Sequence, residues 1–243
     1  MRGALAVIAL VLAAAATAEA QAEMWLMRTA MPGSGLMWGS RITLENRTCC
    51  EQDGGRASEA EERVLASVPG RAHRSGRTLR LRLDGGRSLR LIDCDDQSSC
   101  DIDEIRIHRL AAWWPAQRFY VVAVTGYAEQ MAYLVRETDG LVVRANAPPI
   151  LSPGGRYAAS TDLTVAKGGG TTEIWDMRSD PPSLLALKSS ASCPALFSVE
   201  SLPAWNGDKE VSFSDVLVAA GEAKPKGLAL RIEGDGAEWI CSF

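Results

Sequence analysis

The sequence predicts an all-β chain made of antiparallel meanders in tandem, with one short helix near its N-terminus. Three observations predict it. First, a four-residue turn cluster runs straight into a stretch of strand-forming residues three times, at residues 115–118 (PAQR), 153–156 (PGGR) and 206–209 (NGDK). Second, the segments beyond these turns share one order: strand, loop, strand, tight turn, strand. Third, "TLRLRLDGGRSLRLID" alternates Leu79, Leu81 and Leu83 with Arg80 and Arg82, the period-two pattern of a strand with one wet face.

The elements are taken in chain order. "MRGALAVIALVLAAAATAEAQA" carries one Arg before an apolar run and ends in small residues at A-x-A spacing, which reads as a secretory signal peptide over residues 1–22, cleaved after Ala20 or Ala22. The run is shorter than the about 20 apolar residues that a membrane span needs. Export to the periplasm or the medium is therefore expected. Residues 23–75 form an N-terminal segment. Its apolar, Met-rich start is read as a strand or short helix that closes or caps the repeats, and "SEAEERVLASV" as a helix opened by a capping box of Ser58 and Glu61. Residues 76–243 form the repeat domain. It opens with a hairpin that turns at Asp84-Gly85-Gly86, and Asp139-Gly140 and Asp235-Gly236 suit two-residue hairpin turns because Gly tolerates positive φ. Asp180-Pro181 marks a looser turn.

Aligning Trp114, Ser152 and Trp205 gives a spacing near the length of one propeller blade. "LSPGGRYAAS" resembles the Ser-Pro-Asp-Gly-Lys/Arg signature that opens the inner strand of a blade in TolB-type and WD-repeat-like β-propellers. Ser152, Pro153, Gly155 and Arg156 match, and Gly154 stands where Asp is usual. The layout is also similar to small exported bacterial proteins of unassigned function that carry a few such units. The resemblance covers roughly residues 78 to 243 and implies a β-propeller-like stack of antiparallel meanders. Three units and one hairpin fall short of four four-stranded blades, so the stack is expected to be partial or distorted. No activity is implied, because one fold hosts many functions.

Composition narrows the function. The chain has 243 residues and a net charge of −4, which suggests neither nucleic acid nor an anionic membrane as partner, and no membrane insertion after processing. The Arg-rich run from Arg71 to Arg90 is assigned by its alternation to a solvated strand face. Cys49, Cys50, Cys94, Cys100, Cys193 and Cys241 are expected to form disulfides in an oxidising compartment. Spacing favours Cys94 with Cys100 and Cys193 with Cys241. Cys49 and Cys50 bridge each other, reach different partners, or leave one thiol free.

No catalytic, cofactor or metal motif is present. His73 and His108 stand apart from any nucleophile, and "KGGGTT" lacks the order of a phosphate loop. In "DCDDQSSCDIDE", Asp93, Asp95, Gln97, Asp101 and Glu104 fall at positions 1, 3, 5, 9 and 12 of a calcium loop, but Ser98 occupies the position that wants Gly. Met24, Met27 and Met31 suit a packed helix face better than a copper site. The tryptophans are assigned mainly to packing, with Trp113 and Trp114 facing opposite ways.

The expected function is an exported, non-catalytic binding or scaffold module whose partner is a protein or glycan of the cell envelope. The alternatives are a hydrolase or lyase whose site is assembled from distant loops, which a pocket bringing His108 against the acids of residues 93–104 would favour, a calcium-binding envelope protein, or a passive envelope protein.

Overall fold

The computed structural model describes residues 27–29, 37–38, 57–94, 105–126, 130–163, 171–188, 197–199, 201–218 and 225–242. In chain order its strands are β1 (Met27–Thr29), β2 (Met37–Trp38), β3 (Ala72–Ser75), β4 (Thr78–Arg82), β5 (Ser88–Ile92), β6 (Arg106–Trp114), β7 (Phe119–Gly126), β8 (Gln130–Arg136), β9 (Val142–Ala145) and β10 (Ile150–Leu151). They continue as β11 (Tyr157–Asp162), β12 (Thr171–Asp176), β13 (Ser183–Lys188), β14 (Phe197–Val199), β15 (Ala204–Trp205), β16 (Glu210–Phe213), β17 (Val216–Val218), β18 (Gly227–Glu233) and β19 (Gly236–Ser242). One helix, α1 (Glu59–Ser67), precedes β3. The described chain is all-β apart from this helix and a 3-10 turn at Asp84–Gly86.

Four of the sheets form layers. Sheet I is β3-β4-β5, sheet II is β2-β1-β9-β8-β7-β6, sheet III is β10-β11-β12-β13, and sheet IV is β15-β16-β18-β19, while β14 and β17 pair separately. Every pairing is antiparallel except β1 on β9.

Period-two alternation decides what lies between the layers. In β7, Tyr120, Val122 and Val124 join Leu79, Leu81 and Leu89 in a core between sheets I and II. The intervening Phe119 and Val121 face the other way, against Ala158 and Trp175 of sheet III. Sheet III repeats the arrangement, sending Tyr157, Ala159 and Ile174 against Val211, Leu228 and Leu230 of sheet IV. Each inner sheet is thus packed on both faces, which is why β8 and β11 are almost continuously buried. Burying a large apolar side chain contributes about 1.5–3 kcal/mol, so these shared interfaces dominate cohesion.

A bulge controls one interface. The register of β6 on β7 shifts between Leu110 and Ala112. Leu110 therefore faces sheet I, whereas Trp114, an even number of residues further on, faces sheet III. Trp113 and Trp114 point to opposite faces, as expected, with Trp113 stacked on Tyr120 at 4.5 Å between ring centroids.

The three turn clusters stand where the sequence places them, and each links two strands. Trp114 pairs with Phe119, and the backbone N–H of Ser152 donates to Tyr157 O at 2.8 Å, so both turns enclose four residues. The repeat unit is consequently four strands rather than three. β10 and β15 are two residues each, too short to display any alternation, and they exist because they pair back across the turn.

Other expectations need correction. "EVSFSDVLV" is two strands: β16 stays in sheet IV while β17 leaves to pair with β14. The last hairpin turns at Gly234-Asp235, because Glu233 pairs with Gly236 and the positive φ of 56° belongs to Gly234. Asp139-Gly140 closes a longer turn between Arg136 and Leu141. His73 lies in β3, paired with Arg80. Met27 lies in a strand, not on a helix face, so the N-terminal segment adds strands to sheet II; Met24 and Met31 are outside the described residues.

Candidate functional site

The described residues bring His108 against Asp93, the contact that would mark a catalytic site. The chain reaches it through local geometry. Asp93 comes directly after β5, where an isolated bridge between Cys94 and Arg106 carries the chain over to β6. His108 is the third residue of β6, and its backbone N–H donates to Asp93 Oδ1 at 2.7 Å while its Nδ1 lies 3.2 Å from the same oxygen. The other carboxylate oxygen accepts from Arg74 at 2.9 Å and from Arg109 at 2.6 Å.

Glu61 completes the cluster. Ser58 caps α1 by accepting from the Glu61 backbone N–H at 3.2 Å, as the sequence predicts. The side chain of Glu61 does not return to Ser58, however. It turns inward, accepts from the Leu110 backbone at 2.9 Å and faces the Arg74 Nε at 2.9 Å. Arg74 also donates to the His108 carbonyl oxygen. One guanidinium therefore ties α1, β3, the end of β5 and β6 together.

Burial defines what this cluster can do. The side chains of Glu61, Asp93, Arg74 and His108 are at most 7 % exposed. Burial alone would push the Asp93 carboxyl up, but donation from the His108 ring and backbone, with Arg74 and Arg109, outweighs it and holds the carboxyl below its ordinary range. A carboxylate so fully engaged is poorly placed to accept a substrate proton. It is equally poorly placed as a calcium ligand. Asp95, Gln97, Asp101 and Glu104 lie outside the described residues, and among the described residues no group of three or more metal-ligating side chains converges.

A second buried carboxylate lies between sheets II and III. Glu173 of β12 accepts from the Asn146 backbone N–H at 2.8 Å, from Ser160 Oγ at 2.8 Å and from Trp175 Nε1 at 3.3 Å. Burial pushes its carboxyl up, and the nearby negative charge of Asp162 acts in the same direction. Sequence reading missed this group. Its only signal was a charged residue within "TTEIWDM", where a strand apolar on both faces should not carry one.

The turns form a connected edge. Gln117 Nε2 of the first turn donates to the Gly155 carbonyl of the second at 2.9 Å, and Asp208 of the third accepts from the Gly154 N–H. Trp205 Nε1 donates to Ile150 O at 2.8 Å. A Cβ on Gly154 would collide with the Asp208 carboxylate. A carboxylate from the third turn thus satisfies the backbone of the second.

No family model, curated protein or solved structure matches the chain. Of the other expected site residues, Cys94 and Cys241 are disulfide-bonded; the expected Cys94–Cys100 and Cys193–Cys241 pairings each include a cysteine outside the described residues, and Cys49 and Cys50 lie outside them too. Residues 164–170, with the "KGGG" segment, are likewise outside. Trp113, Trp114, Trp175, Trp205 and Trp239 all pack against apolar clusters, so none of these five forms an exposed stacking platform. Among the described residues no helix is long and apolar enough to cross a membrane.

Proposed function

We propose that the chain is an exported, non-catalytic binding or scaffold module whose sheets form a partial β-propeller-like stack. The observation that carries this reading is the interlocked turn edge, where Gln117 and Asp208 fasten consecutive units and leave one continuous row of backbone turns at the surface. Such an edge offers a partner a rigid, repeated outline at little ordering cost. The buried ionisable groups support the same reading from the other side. Asp93, His108 and Glu61, with Arg74, hold four chain segments in place, and both Asp93 oxygens and Glu61 Oε1 are engaged by groups of the chain itself. The signal-peptide pattern of residues 1–22 supports export to the periplasm or the medium.

The test is site-specific photo-crosslinking in the native envelope. A reactive residue at the exposed Ala116, on the turn edge, is expected to capture one discrete partner. The same probe at Glu238, on the outer side of β19, is expected to capture none. Equal capture at both positions, or ester or glycoside turnover that disappears in His108→Gln, would overturn the reading.

A further inference from the structure

The third turn of the connected edge contains the chain's one Asn-Gly sequence, Asn206-Gly207. An asparagine followed by glycine can close a cyclic imide on its own backbone, because the glycine has no Cβ to hinder the approach and takes either sign of φ. Whether a folded chain permits this depends on what ties the dipeptide down. The turn is fastened on both sides. The Asn206 N–H donates to Glu210 O at 2.8 Å, the Ile232 N–H donates to Lys209 O at 2.8 Å, and Asp208 accepts from the Gly154 N–H. Between these anchors the Gly207 N–H makes no hydrogen bond to the described residues. Asn206 and Gly207 are exposed, Gly207 has a φ of 70°, and nothing beyond its chain neighbours lies within 4 Å of the place its Cβ would take. The attacking nitrogen is thus free, in open space and beside the amide it must reach. Other described positions lack this combination. Asn146 is half-buried and precedes Ala147, the carboxylates of Asp84-Gly85 and Asp139-Gly140 are held by Arg118 and Arg136, and Gly236 after Asp235 is committed to pairing with Glu233.

We propose that Asn206 is a site of self-modification by deamidation. The Gly207 nitrogen attacks Asn206 Cγ and forms the new C–N bond; its proton passes through solvent to the amide nitrogen, the Cγ–Nδ2 bond breaks, and ammonia leaves. Water then opens the succinimide. Cleavage between Cγ and the Gly207 nitrogen gives aspartate, and cleavage between the main-chain carbonyl carbon and that nitrogen gives isoaspartate. The turn converts this chemistry into a structural change. Asn206 Nδ2 donates to Glu210 Oε1 at 2.9 Å, while the other Glu210 oxygen is held by Arg231. Deamidation replaces that donor with a second carboxylate facing Glu210, so a like-charge pair stands where a hydrogen bond was. The isoaspartate product also adds a methylene to the backbone of the turn that presents Asp208 to Gly154. The modification is one-way, and it loosens the tie between sheets III and IV as the protein ages.

The inference goes beyond the binding-module reading and stands whether or not a partner is captured at Ala116. Its test is to age the folded full chain in mildly alkaline buffer beside the same chain in urea, until the urea sample has converted, and to map the peptides by mass spectrometry. Aspartate and isoaspartate are expected at residue 206 in the folded sample, while Asn146 keeps its amide. Asn206→Gln retains an amide on a longer side chain that closes the ring poorly, and is expected to stay unmodified. Asn206→Asp, the product made directly, should melt about 2 °C below Asn206→Gln, the shift that one like-charge pair produces in a domain of this size. Conversion of residue 206 in urea but not in the folded chain overturns the inference, because the fold then shields the site. Equal conversion of Asn146 in the folded chain overturns it too, and an Asn206→Asp variant as stable as Asn206→Gln overturns the loosening of the turn.

Discussion

Replacing Asp93 with Asn tests whether the buried cluster is a charge-dependent clasp. The variant keeps the shape and one acceptor oxygen, but it removes the negative charge that faces Arg74 and Arg109 and the ring of His108. Arg74 is 4 % exposed and keeps only Glu61 as an anionic partner. Breaking a buried ion pair from one side costs about 3–5 kcal/mol. The surviving Glu61 contact argues for the lower end, ~3 kcal/mol, which for a domain of this size lowers Tm by about 6–12 °C. Urea denaturation monitored by circular dichroism measures the loss. The pH dependence adds a second check. The folded-state pKa of Asp93 is depressed, so its contribution is complete above the ordinary carboxylate pKa and disappears as pH falls through the folded value. The gap between wild type and Asp93→Asn should therefore be widest near neutrality and close in acid. A loss under ~1 kcal/mol, the scale of an exposed ion pair, would refute the reasoning. A gap independent of pH would refute it as well.

Glu173 behaves in the opposite sense: its folded pKa is raised, so wild-type stability falls as pH climbs above the ordinary glutamate range, and Glu173→Gln should flatten that slope in thermal melts from pH 4 upward. Gly154→Ala should cost about 1 kcal/mol, because the methyl displaces Asp208 from the Gly154 N–H, and should cost almost nothing once Asp208→Ala has been made. A double-mutant cycle by chemical denaturation reads the coupling. Trp175→Ala should destabilise by about 3–5 kcal/mol, since Trp175 is fully buried between sheets II and III.

The alternation of Leu79 to Leu83 and the turn at residues 153–156 were legible because each is local: a period or a turn residue announces itself within a few positions. The strands Ile150–Leu151 and Ala204–Trp205 were not, since a two-residue strand has no period and is defined only by what it pairs with. The same distinction separates the two roles of Ser58 and Glu61. Capping by Ser58 is a contact three residues away and could be read. The inward turn of Glu61 depends on Leu110 and Arg74, which only folding brings near. His108 was singled out, yet whether its meeting with Asp93 makes a catalytic pair or a clasp depends on two arginines that spacing does not connect to it.

The parallel seat of Met27–Thr29 on Val142–Ala145 bears on the order in which the chain can assemble. The strand nearest the N-terminus gains its parallel partner only when β9, far along the chain, has joined β8. Sheets III and IV can each settle on the layer before them, so the final seam of sheet II closes in the middle of the growing body rather than at its end.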